Sequence, residues 1–156
     1  MARLLKVIVV EDDPILCDAF ATTLETDPLI TTAQAHTLKE AEDLCELEPQ
    51  VVLFLDLSVP GVKGVQIVEL LRKKKPGAVI VVITGSAHLA DAAIAAGASK
   101  VIIKSSPDSF GPGLIKSVRD AVTVREVELL FAPTVSAIKE QRETLTTVPQ
   151  LVNNQK

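Results

Sequence analysis

The chain has 156 residues, 47% of them apolar, and a net charge of −4 at pH 7, which suits one domain with a substantial core and argues against disorder throughout. Aromatic residues make up only 3%, with no Trp or Tyr, and no basic stripe stands out, so neither base-stacking surfaces nor nucleic-acid binding by this chain is favoured. No apolar run approaches the roughly 18 residues a membrane span needs, and Met1-Ala2-Arg3 is too short for a signal peptide's charged region and apolar core, so the expectation is a cytoplasmic protein with no membrane partner.

Leu4–Val10 is an apolar, β-branched run ending in Glu11-Asp12-Asp13-Pro14. It reads as a buried strand with acids at its carboxyl end, followed by Asp13 as N-cap and Pro14 at the first helical position. Ile15, Leu16, Ala19, Phe20 and Leu24 follow at helical spacing until Asp27-Pro28. Leu29–Ala35 is a short strand. Thr37-Leu38-Lys39-Glu40 has the spacing of a capping box, and its helix carries Leu38, Ala41, Leu44, Cys45 and Leu47. Cys17 and Cys45 read as small buried hydrophobes, and with His36 and His88 they do not make a zinc spacing.

Val51–Leu55 is a run of five consecutive apolar residues. It ends on Asp56, and Pro60, Gly61 and Gly64 mark the turn beyond. Such a run fits a strand of a parallel sheet buried on both faces. Val65, Ile67, Val68 and Leu71 then predict a helix that closes on Arg72-Lys73-Lys74-Lys75-Pro76-Gly77. That basic run reads better as the complement to a helix C-terminus than as a binding patch. Ala78–Ile83 is another buried strand, ending at Thr84-Gly85. An Ala-rich helix runs through Leu89, Ala92, Ala93 and Ala96 to Gly97. Lys100–Ile103 is the last strand and ends at Lys104. Leu114, Ile115, Val118, Ala121, Val122 and Arg125 outline the final helix of the pattern.

Five strand–helix repeats imply parallel strands joined by right-handed crossovers, a doubly wound three-layer sandwich. The leading topology is a five-stranded flavodoxin-like sheet in the order 2-1-3-4-5. Strands one and three are then neighbours at the switch point, which brings Glu11, Asp12 and Asp56 together, with Thr84 and Lys104 around the same crevice. Three carboxylates in one crevice resist ionising together. A hard divalent cation, Mg²⁺, relieves the repulsion and bridges to phosphate oxygens. Asp56 can then act as a nucleophile toward a phosphoryl group, with Lys104 as a point charge and Thr84 as a hydroxyl donor.

The Val-Glu-Asp-Asp-Pro end of strand one, Leu-Asp-Leu-Ser-Val-Pro-Gly-Val-Lys-Gly around Asp56, Thr84 with Gly85, Gly97-Ala98 and Lys104 together resemble the receiver domain of bacterial two-component response regulators, over residues 4 to about 125. The resemblance implies that Asp56 is the phosphoacceptor, served by a histidine kinase or phosphotransfer protein. It implies that Asp12 is a direct Mg²⁺ ligand, Glu11 its acidic neighbour, and the Ser58 backbone carbonyl a further ligand. Thr84 becomes the switch hydroxyl and Lys104 the phosphate-binding lysine. The implied function is phosphorelay signalling without other enzymatic activity. Two residues depart from the family pattern. Val101 stands where an aromatic side chain commonly turns inward on activation, and Ser105 stands where Pro usually follows the lysine.

Residues 126–156 read as a C-terminal extension beyond a receiver spanning 1–125. Val127 and Leu129–Phe131 are apolar, and Val135, Ile138, Arg142 and Leu145 have helical spacing. The extension is expected to pair two copies or to link to an output domain; a homodimer through the face of the fourth helix, fifth strand and fifth helix is the other expectation. Two further readings stand beside the receiver: a phosphorylation-independent interaction scaffold, and the receiver of a DNA-binding transcriptional regulator. A haloacid-dehalogenase-type phosphatase is disfavoured, because that chemistry wants a second acid two residues after the nucleophile and Ser58 sits there.

Overall fold

In the computed structural model, residues 3–131 are described. Five strands, β1 (Leu5–Val10), β2 (Ile30–Ala35), β3 (Val52–Asp56), β4 (Val79–Thr84) and β5 (Lys100–Ile103), alternate with helices α1 (Pro14–Leu24), α2 (Leu38–Leu47), α3 (Gln66–Lys74) and α4 (Ala90–Ala96). Residues 111–131 form a further helix, α5. All pairings are parallel and the order is β2-β1-β3-β4-β5, as the alternating pattern requires. The first compact unit of the chain closes at Val124. The predicted helical spacing at Val135, Ile138, Arg142 and Leu145 lies outside the described residues. Among the described residues no helix is long and apolar enough to cross a membrane.

Side chains alternate across each strand, and the sheet feeds two separate cores. Ile8, Val10, Leu53, Leu55, Ile80 and Val82 pack with Ala41, Cys45, Ile67, Val68, Leu71 and Ala93 of α2, α3 and α4. Val7, Val9, Val52, Phe54, Val81 and Ile83 pack with Cys17, Ala21 and Leu24 of α1 and Leu114, Val118 and Ala121 of α5. Burial on both faces is why β3 and β4 are apolar at consecutive positions rather than at alternate ones. Both cysteines are buried and free.

The caps follow their residue chemistry. Asp13 accepts from the N–H groups of Ile15 and Leu16, and Thr37 accepts from that of Glu40 at 3.1 Å. The reciprocal arm of that box differs from the usual pattern: Glu40 accepts from His36 N–H, one residue earlier, at 2.7 Å. Gly97 ends α4 at φ +118°, a left-handed conformation that side chains other than glycine resist.

Several expected faces are shifted. Ile15 is 83% exposed; Leu24 and Cys17 are buried as expected, and Ala21 joins them in the buried stripe of α1. Leu47 is exposed at the end of α2, and Leu4 lies before β1 and faces solvent. β4 starts one residue later than Ala78 and includes Thr84. These are boundary and phase errors of a kind that a short amphipathic pattern permits, because a helix with mixed apolar positions has more than one plausible face.

The basic run after α3 works as a helix end. Arg72 donates from Nη1 to the carbonyls of Pro76 at 2.8 Å and Ala78 at 2.6 Å, and from Nε and Nη2 to that of Gly97 at 3.1 and 2.7 Å. It therefore ties the exits of α3 and α4 to the start of β4. Lys75 donates to Glu48 O at 2.6 Å. Replacing Arg72 by Met should lower stability by about 2–3 kcal/mol, the scale for lost hydrogen bonds from a charged group, read as a lower urea midpoint. R72K should recover only part of this, because an ammonium cannot fork between three carbonyls.

Asp27 accepts from Leu29 N–H at 2.9 Å and pairs with Arg119 of α5 at 2.7 Å. The Leu29 amide and the Arg119 guanidinium hold the Asp27 carboxyl below its ordinary value. A depressed carboxyl pKa stabilises the fold above the unfolded-state value, and that contribution is lost as pH falls through the folded-state value. Asp27→Asn should therefore lower the denaturation midpoint at pH 7, and the gap to wild type should close as pH is taken below about 4.

Candidate functional site

Parallel strands of matched length end level with one another, so whatever follows them shares one rim. Val10 is paired with Leu55, Asp56 with Ile83, and Thr84 with Ile103. Glu11, Asp56, Thr84 and Lys104 thus leave four adjacent strands side by side. Lys104 Nζ lies 2.6 Å from Asp56 Oδ2. The other carboxylate oxygen, Oδ1, accepts from Ser58 N–H at 2.8 Å. Asp56 is 3% exposed, Glu11 3% and Thr84 5%, whereas the Lys104 side chain retains 37% of its surface.

The electrostatics of the crevice follow from this crowding. Burial pushes the Glu11 carboxyl up to about 8, and the carboxyls of Asp56 and Asp12 beside it push the same way. Burial would also raise Asp56, but hydrogen bonding with Glu11, Lys104 and the Ser58 amide outweighs it, and Asp56 stays below the ordinary value. Of the facing pair, Asp56 carries the charge and Glu11 the proton, because the ammonium and the amide stand on the Asp56 side. Glu11 Oε1 accepts from Asp13 N–H at 3.2 Å, while Oε2 is buried without a hydrogen-bond partner.

An acceptor oxygen sealed among other acids needs a proton or a cation. The donor set is all hard oxygen, which suits Mg²⁺. Among the described residues no three His, Cys, Asp or Glu side chains are drawn together as a ready-made metal cluster, so backbone and water oxygens would have to complete the coordination.

Thr84 Oγ1 accepts from Ser86 N–H at 3.1 Å, which leaves its own O–H free to donate. Lys104 N–H donates to Thr84 O at 2.9 Å, and the buried Ser109 hydroxyl donates to Lys104 O at 2.8 Å. The loop that carries the lysine is thereby fixed from both sides. All peptide bonds among the described residues are trans, the one between Lys104 and Ser105 included. Val101 is half-buried against the core on the α2–α3–α4 face. Asp12 and Ser58 are exposed at the rim, and Asp13 serves as the N-cap of α1.

Sequence reasoning missed two supports, Ser109 and His36. The His36 ring places Nδ1 3.0 Å from the main-chain carbonyl of Glu11. His36 acts across 25 residues and has no local signal, whereas Ser109 bonds back within its own loop, to the carbonyls of Lys104 and Ser106. In the cation-free protein the Glu11 side chain should titrate with a midpoint of about 8, read from its carboxyl ¹³C shift. Asp56→Asn removes the facing charge and should bring that midpoint down; an ordinary carboxylate midpoint in the wild type would contradict the burial described here.

The family model described as the response regulator receiver domain matches residues 7–110. A protein-glutamate methylesterase/protein-glutamine glutaminase of Agrobacterium fabrum is 32% identical over 117 residues, covering 72% of this chain and 33% of that protein. The response regulator protein PilR of Pseudomonas aeruginosa is 30% identical over 130 residues, 82% of this chain and 28% of PilR. The chain spans less than half the length of the curated relatives it matches. Among solved structures, a CheY-like receiver domain protein from Methanospirillum hungatei superposes with a TM-score of 0.69 at 24% identity, covering 80% of this chain and 98% of that one. The response regulator TrrA from Thermotoga maritima, solved in complex with Mg(2+)-BeF, gives 0.64 at 24% identity, with 75% and 98% covered. At such identities the structural likeness speaks for the fold alone. The family match rests on sequence, covers two-thirds of the chain, and spans all five strand ends of the rim; proteins of that family work by phosphorylation-based switching in two-component signalling. This chain belongs to the response regulator receiver domain family.

Proposed function

We propose that Asp56 is the phosphoacceptor of this receiver, loaded by a histidine kinase or phosphotransfer protein in a Mg²⁺-dependent reaction. The observation that carries the reading is the 2.6 Å contact between Lys104 and a buried, ionised Asp56. A carboxylate kept charged in a crevice is a competent oxygen nucleophile. In the transfer, the O–P bond to Asp56 forms as the N–P bond of a phosphohistidine breaks, and the imidazole leaves with that electron pair. Hydrolysis reverses the state: water attacks phosphorus, the O–P bond to Asp56 breaks, and carboxylate and inorganic phosphate are released. No other catalysis is assigned to the chain.

Glu11, Asp12, Asp56 and the Ser58 main-chain carbonyl are the groups that would hold Mg²⁺, which supplies positive charge beside the phosphoryl oxygens when bound. Lys104 sits close enough to shift from the carboxylate to those oxygens, and the Thr84 O–H is available to donate to them. Phosphorylation adds about −1.5 to −2 charges at a buried rim. We expect the response to surface at α4, which is the least anchored helix: of its seven residues only Ala93 is buried. A second copy engaging the α4–β5–α5 face, or the extension from residue 126, is the partner we expect there. A reaction fed by a histidine kinase belongs in the cytoplasm.

Val101 supports a second reading. Without an aromatic side chain to rotate, the chain could bind its partner irrespective of phosphorylation. Wild type and Asp56→Asn, each with and without a small phosphodonor, separate the two readings. The receiver reading expects an adduct of ~80 Da in wild type with Mg²⁺, no adduct in D56N, and partner binding that changes only in wild type. An adduct that survives in D56N overturns the assignment of Asp56; equal binding under all four conditions favours the scaffold.

A further inference from the structure

His36 has no part in the reading above, yet its ring reaches the rim. β1 and β2 are paired up to Val10 and Ala35, and Glu11 N–H extends the ladder by donating to Ala35 O at 3.0 Å. Beyond that point the two chains would diverge. Instead the His36 ring closes back, with Nδ1 3.0 Å from Glu11 O. A carbonyl can only accept, so Nδ1 carries the proton in this contact. The main chain that carries the ring is held from the other side, because His36 N–H donates to Glu40 Oε2 at 2.7 Å and Glu40 N–H donates to Thr37 Oγ1 at 3.1 Å. A continuous run of hydrogen bonds therefore leads from the first turn of α2 to the peptide that joins Glu11 to Asp12.

We propose that His36 is a positioning residue for the acidic turn: its Nδ1–H holds the Glu11 carbonyl, and through it the Glu11–Asp12 peptide, in the orientation that presents both carboxylates to a divalent cation. The inference rests on the receiver reading of the site. The physical reason is that three acids at one rim repel, and the turn that carries two of them has no strand partner beyond Glu11. A donor that grips this carbonyl fixes the peptide without competing for the carboxylates. Partners that orient ligating groups from behind typically change metal affinity by 10–100-fold when removed.

The geometry also specifies which substitution should restore the contact. The amide nitrogen of asparagine branches from Cγ, as Nδ1 of histidine does, so His36→Asn keeps a donor at the same distance from the main chain. His36→Leu keeps bulk and loses the donor, and His36→Ala removes both. Mg²⁺ alone should be titrated into each variant of the 156-residue chain, following the backbone amide shifts of residues 11–13 and 56–58, with thermal midpoints measured in parallel. H36L and H36A should bind Mg²⁺ about tenfold more weakly, and H36N should bind close to wild type. D27N, destabilised at a site remote from the rim, should keep wild-type affinity, which separates loss of stability from loss of positioning. If H36L does not fold, H36A and H36N carry the comparison. Unchanged affinity in H36L and H36A overturns the role of His36 and leaves the receiver reading intact, as does a loss in H36N equal to theirs. A wild type that shows no Mg²⁺-dependent shifts at these residues overturns the cation site itself.

Discussion

A carboxylate that is almost wholly removed from water cannot stay ionised unaided, and hydrogen bonding with Glu11, the ammonium of Lys104 and the amide of Ser58 together allow Asp56 to do so. The desolvation cost of a buried anion is several kcal/mol, so the contact must be short, and the amide of Ser58 must take the second oxygen. Much of the surrounding structure serves that requirement. β3 and β5 must end level although β4 separates them, and the loop after β5 must be pinned so that the lysine points back across the rim. The Ser109 hydroxyl and the hydrogen bond from Lys104 N–H to Thr84 O do the pinning.

The same constraint explains the division of labour between the two acids. Glu11 and Asp56 meet across neighbouring strands with a single lysine between the four elements of the rim. One positive charge cannot hold two carboxylates in their charged form, so the acid nearer the lysine stays ionised and the other is pushed toward its neutral form. The Oε2 oxygen of Glu11 is buried among these acids. A hard cation placed beside these oxygens would relieve the crowding of acids at the rim.

The fold was legible because its signals are additive along the chain. Consecutive apolar residues at β1, β3, β4 and β5, each closed by a polar residue, state both the parallel sheet and the position of its rim. Asp56, Thr84 and Lys104 could be read from that alone, and Glu11 with them. Helix faces were less legible: on α1, Ile15 fits the apolar spacing yet faces solvent, while Phe20 turns in to meet Phe54 at a ring separation of 4.9 Å. Contacts from side chain to distant main chain were not legible at all. Arg72 reaches the Gly97 carbonyl across 25 residues and His36 reaches the Glu11 carbonyl across the same interval, and a carbonyl is the one acceptor every residue offers. A sequence does not announce which of them will be used.

The sheet also acts as a partition wall. Neighbouring residues on any one strand belong to different oily compartments, one shared with α2, α3 and α4, the other with α1 and α5. A change of volume on one side is met first by the residues of that compartment. Each compartment can thus drift through its own series of compensating substitutions while strand order and rim stay put. That division gives a physical reason why chains sharing fewer than one residue in four with this one keep the same fold.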